Sequence, residues 1–159
     1  MFSEEFRVSD EQSGLTWADL CNGTPTIIAL AHLCAVVQSR PELPKVDPSQ
    51  LSDEARALLI SSRDRGTLSI RGDKNAFEPA ERFLAVCVEK QEGQKLEFRS
   101  RDAEQTVKFM DGLRQLCACG LVMHQLMNDF SLTSQGFELA RQLDAGAYQE
   151  LLATGREAM

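Results

Sequence analysis

The side chains best suited to nucleophilic or metal chemistry are five cysteines and two histidines, and they crowd most closely at Cys117-Ala118-Cys119 with His124 five residues on. Such a cluster could bind zinc or pair a thiolate with a base. On a helix, residues two apart point about 200° from one another. The spacing fits neither a zinc ribbon nor a finger, and no fourth ligand lies nearby. A thiol within an apolar run also resists ionisation. The cysteines therefore read as structural, with no metal site. Cys21, Cys34 and Cys87 also sit in or beside apolar runs, and an odd total argues for a reducing compartment rather than a disulfide framework. His32, inside an uncharged run, reads as a core residue. Asp53-Glu54 follow Ser52 and suit the first turn of a helix better than an acid–base pair. The chain has no Gly-rich phosphate loop, no G-x-S-x-G elbow and no metal-spaced His pair. The expectation is a protein with no catalytic residues and no cofactor.

The surroundings of these residues are those of an ordinary globular chain: 159 residues, 43% hydrophobic and 26% charged. Such a length supports one core without metals or disulfides. The net charge of −7 disfavours unaided binding to nucleic acid or anionic membrane, because phosphate contacts supply most non-specific affinity. No stretch approaches the roughly 18 apolar residues of a membrane span. The N-terminus has neither the basic flank nor the apolar run of a secretory signal, so a cytoplasmic location is expected.

The elements follow from periodicity and caps. The first dozen residues are acidic and polar, a loose start. Thr16 caps a short helical turn that Asn22-Gly23 breaks. Thr24 as N-cap and Pro25 at the first helical position open an uncharged helix that runs to residue 38. It is apolar all round and too short to span a bilayer, so it must bury itself in the core or against a second copy. Arg40 to Pro48 holds three of the chain's five prolines and reads as an extended connector. The domain plan is thus 1–40 for an N-terminal helical segment that serves as a dimerisation or docking element, 41–50 for the proline-rich connector, and 51–159 for the main α+β domain.

Within that domain Ser52 caps a helix stopped by Gly66, and Thr67-Leu68-Ser69-Ile70-Arg71 alternates as a strand. The stretch 79–90 fits helix and strand templates alike, and the Pro79 start favours helix. Residues 95–99 alternate as a strand. Asp102 with Gln105 launches a helix carrying Val107, Met110, Leu113, Leu116 and Cys117 on one face, and Gly120 ends it. Residues 121–127 read as a strand, Asn128-Asp129 as a tight turn and 130–132 as the returning strand. Thr133 caps a further helix, and a last helical stretch covers 148–153.

The run Leu113 to Val122, followed by Phe130-Ser131-Leu132-Thr133-Ser134-Gln135-Gly136-Phe137, resembles the C-terminal half of winged-helix regulators of the MarR and PadR kind. There a recognition helix ends in a "GL-[VI]" strand, a hairpin wing follows, and "LT-x-x-G" opens the next helix. The resemblance implies a winged-helix-like α+β fold, here with an extra strand or strands and an N-terminal hydrophobic helix. Two departures stand out: Gln91 to Arg101 intrudes where a short helix-turn-helix turn belongs, and no Lys or Arg occurs between Gln115 and Ala140 to line a wing on phosphates.

The expected role is a protein-interaction or assembly module, binding a protein partner or itself as a homodimer. Its candidate interface is Ile27, Ile28 and Leu30 on the uncharged helix with Met123, Leu126, Met127 and Phe130 on the hairpin. Alternation also allows the hairpin residues to be core. The alternative is a dimeric DNA-binding transcriptional regulator contacting DNA through Arg99, Arg101, Lys108 and Arg114.

Overall fold

A computed structural model describes residues 14–158. The architecture is mixed α+β: one six-stranded antiparallel sheet in the order β4-β5-β1-β2-β3-β6 with helices packed against it. The strands are β1 (Thr67–Arg71), β2 (Ala85–Glu89), β3 (Lys95–Glu97), β4 (Val122–His124), β5 (Asp129–Leu132) and β6 (Arg156–Ala158). The helices are α1 (Trp17–Cys21), α2 (Thr24–Gln38), α3 (Asp53–Ser62), α4 (Ala103–Ala118), α5 (Ser134–Gln142) and α6 (Gln149–Leu152).

The period of two along the strands divides the sheet into an apolar and a polar face. Leu68 pairs with Val88 and with Phe130, and Ile70 with Val86. These side chains meet α3 and α4, whose Leu58, Phe109, Leu113 and Leu116 are buried in the same core. Apart from Met123, which pairs with Ser131, the opposite face of the central strands carries small or polar side chains, with Ser69 paired to Cys87 and to Asp129. Gly112 lets α4 cross α3 closely: a Cβ there would stand 2.9 Å from the backbone nitrogen of Ala55.

Several caps match the sequence reading. The Thr16, Ser52, Asp102 and Thr133 side chains each accept a hydrogen bond from a first-turn backbone N–H. Gly66 and Gly120 adopt positive φ just past α3 and α4. Residues 1–13, including the expected loose start, lie outside the described residues.

Other expectations are corrected. Residues 79–90 are not a helix: a 3-10 turn spans Pro79–Arg82 and the central strand β2 follows. Both faces of Ala85-Val86-Cys87-Val88 are buried, and an unbroken apolar run of that kind carries no period by which helix and strand can be told apart. The α2 N-cap is Gly23, in a left-handed conformation without a side-chain cap, rather than Thr24. The β4–β5 turn spans residues 125–128, with Met127 at positive φ. His32 is exposed rather than core. Strand β6, which pairs with β3, has no counterpart among the expected elements.

The proline-rich connector is held to the main body by Gln115 on α4. Its Oε1 accepts from the Ser52 N–H at 2.8 Å and its Nε2 donates to the Gln50 carbonyl at 3.1 Å. Ahead of the connector, α2 packs on β4 and α4 with Ile27, Leu30 and Cys34 in the common core. The Cys34 thiol donates to the Val122 carbonyl of the outer strand β4 at 3.5 Å. Among the described residues no helix is long and apolar enough to cross a membrane.

Candidate interaction surface

Helix α2 carries no charged residue in its 15 positions, so nothing in its composition distinguishes an inner from an outer face. Packing makes the distinction. Ile27, Leu30, Cys34 and Val37 are buried, whereas Pro25, Ile28, Ala29, His32, Ala35 and Val36 are open. Ile28 stays 52% exposed and Val36 45%. Just before it, α1 adds Trp17, 63% exposed, and Leu20.

Beside the N-terminal half of α2 lies a cleft of about 700 Å³, closed on its other sides by the end of β1 and the β4–β5 turn. Ile27, Ile28, Ala31, Ile70 and Met127 give it an apolar lining, and Asp19, Asn22, Thr24, Arg71, His124 and Asn128 a polar one. The turn is braced from both sides. The Asn128 side-chain amide donates to the Ile70 carbonyl at 2.9 Å, and the Ile70 N–H donates to the Asn128 carbonyl at 3.2 Å. The His124 Nε2 lies 2.7 Å from the Met127 carbonyl, and its ring stands edge-on to Phe130 with centroids 5.1 Å apart. These contacts hold Met127 at φ 55°, a conformation that costs a non-glycine residue about 1–3 kcal/mol. The Met127 side chain is 86% exposed.

The sequence-nominated interface residues thus divide. Ile27, Leu30 and Phe130 are core, Met123 is half-buried, and Ile28, Leu126 and Met127 face solvent. Ile27, Ile28 and Met127 meet at the one cleft. The nominated nucleic-acid contacts do not converge. Arg99 is turned inward and bound by the Glu97 carboxylate and the carbonyls of Ala80 and Arg71. Lys108 and Arg114 are exposed on α4 but pair with Glu104 at 3.8 Å and Asp111 at 3.4 Å. Arg101 is exposed just before α4. Comparison of the chain with protein-family models, with curated proteins and with solved structures finds no match.

Besides Val36, Phe83 and Val107, three further exposed apolar residues were not among the nominated ones: Trp17, Leu20 and Phe77, the last in the long β1–β2 loop. Each sits within a few residues of a turn signal, Asn22-Gly23 for the first two and Gly72-Asp73 with Pro79 for Phe77, and a large apolar residue beside such signals is the one clue the sequence offers. The Arg82 guanidinium steadies the Phe77 loop by donating to the Ala76 carbonyl at 3.0 Å and the Phe77 carbonyl at 3.3 Å.

The thiols behave as packing groups. Burial pushes Cys87 up to about 11, with the Glu97 carboxylate adding to the shift. Cys117 is raised by its contact with the Cys34 sulfur and by burial, and Cys119 by burial. Cys34 is lowered by the same contact with Cys117, against the effect of its own burial. Cys21 alone among them is exposed. Among the described residues no group of three or more His, Cys, Asp or Glu side chains is placed to hold a metal ion.

Proposed function

We propose that the chain is a non-catalytic protein-interaction module whose contact surface is the outer face of α2 with Trp17 and Leu20 beside it. The observation that carries this reading is the uncharged outer face of a helix that leaves Ile28 and Val36 half open to water. Contiguous apolar surface of this kind costs free energy until a partner covers it, and on soluble proteins it marks binding sites. The braced turn that presents Met127 extends the surface across the cleft.

The test is a double variant, Ile28→Glu with Val36→Glu. Both side chains point outward, so the melting temperature should hold within a few degrees. A defined protein partner, a second copy included, should be retained by the native chain and lost by the variant. If no protein's association depends on these two residues, the reading fails.

A second reading is a winged-helix DNA-binding regulator acting as a homodimer. It draws support from topology: α3, then β1, and later α4 leading through Gly120 into the β4–β5 hairpin, with β5 paired back to β1. The β2–β3 hairpin stands where that plan needs the helix before the recognition helix, and this weighs against the reading. Charge weighs against it, since Lys108 and Arg114 are already paired. A salt-dependent shift of duplex DNA at micromolar protein would favour it, and no shift at low salt would end it.

A further inference from the structure

Most of the exposed residues of α2 fall at mirror positions about His32; Thr26, whose mirror position is the half-buried Gln38, is the exception. Ile28 and Val36 flank His32 four residues away on either side and Ala29 and Ala35 three residues away, with Pro25 and, just past the helix, the C-cap Ser39 at seven, all of them exposed. The geometry points to a second copy of this chain as the occupant of this face, paired as an antiparallel α2–α2 contact about a two-fold axis through His32. This deepens the interaction-module reading and rests on it.

A two-fold interface must be self-complementary, because each residue meets its mirror position on the other copy. An axis at His32 sets Ile28 against Val36 of the other copy, large against large, and Ala29 against Ala35, small against small. The alanines let the helix axes approach to about 8 Å. Charge also fits this occupant. A chain of net charge −7 pairs with itself most readily through a surface that carries none, and all of α2 is uncharged. Antiparallel pairing further places the positive end of each helix dipole beside the negative end of the other. A specific interface between two copies needs about 1,200 Å² in all, so the exposed Leu20 and Trp17 of the neighbouring α1 must join the stripe in the contact. Interfaces near that lower bound include the weak and transient ones, so the association is sought through the micromolar range.

The test places one thiol on the proposed axis. In a Cys21→Ser background, which removes the exposed native thiol, His32→Cys should cross-link to its own copy under glutathione disulfide. The exposed control Gln149→Cys in the same background should not. Light scattering on the native full chain should rise from 17.7 kDa toward twice that mass as concentration increases through the micromolar range. His32→Glu, which brings two carboxylates together on the axis, should weaken that association at least tenfold without moving the melting temperature. A native chain that stays at the monomer mass to several hundred micromolar overturns the pairing. So does a dimer in which His32→Cys cross-links no faster than Gln149→Cys. If a different protein is then bound through Ile28 and Val36, the interaction-module reading stands while the self-pairing falls. If nothing is bound through them, both fall.

Discussion

The sharpest contrast among single residues is between arginines that look alike in sequence. Arg99 and Arg101 are two positions apart, yet Arg99 is 3% exposed and Arg101 lies on the surface. The Arg99 guanidinium ties three segments together, reaching Glu97 on β3, the Ala80 carbonyl in the 3-10 turn and the Arg71 carbonyl at the end of β1. Arg99→Ala would strand a half-buried Glu97 carboxylate and two carbonyls. Losses of this type run to about 3 kcal/mol, and a denaturant melt should register one of that order. A residue whose task was to meet phosphate would leave stability nearly unchanged. The thiols make a second residue-scale prediction. With Cys87, Cys117 and Cys119 held above the ordinary thiol range and Cys34 buried, iodoacetamide at pH 7.5 should label Cys21 first in the folded protein. At pH 9 Cys87 should still stay silent until the chain unfolds. Rapid labelling of Cys117 or Cys119 in the folded state would reopen a catalytic reading of the cluster.

Among the elements, helices announced by caps were readable, and so was the alternating strand β1. Ser52, Asp102 and Thr133 each stand one residue before an apolar period, and capping chemistry is local enough to be read from a few neighbours. What escaped was whatever depends on distant chain. β2 is a strand because β1 and β3 flank it, and β6 exists only because β3 offers it a free edge. In α2 the extent of the helix was readable, but its uniform apolarity concealed which face is open, and β4 with α4 made that choice. For the candidate surface, Ile28 and Met127 were found, Phe130 and Leu30 proved to be core, and Trp17 was passed over because its helix is only five residues long. The α3–α4 crossing carries its own prediction. Gly112→Ala puts a methyl group against backbone that has no flexible end to yield, so the helices must separate. Overpacking of this kind costs about 1–3 kcal/mol, measurable as a lower unfolding midpoint at unchanged m-value.

For the whole molecule, charge placement separates the two functional readings. Association through an uncharged helix face between two copies of net charge −7 is opposed only by long-range repulsion. Raising salt from 50 to 500 mM screens that repulsion and should leave the self-association unchanged or slightly tighter. Binding to nucleic acid would weaken steeply over the same range. One titration with light scattering and labelled duplex side by side therefore distinguishes them.

The seat of α2 has a consequence for aggregation. β4 is the last strand on its side of the sheet, and its outward carbonyl at Val122 is occupied by the Cys34 thiol, with the helix lying over the strand. An uncovered strand of this sort is a template on which other chains can add, strand upon strand. Proteolysis in the connector near residue 40 would release the helix and bare that template. The helix whose outer face is proposed to meet a partner thus also covers, with its inner face, a strand on which other chains could add.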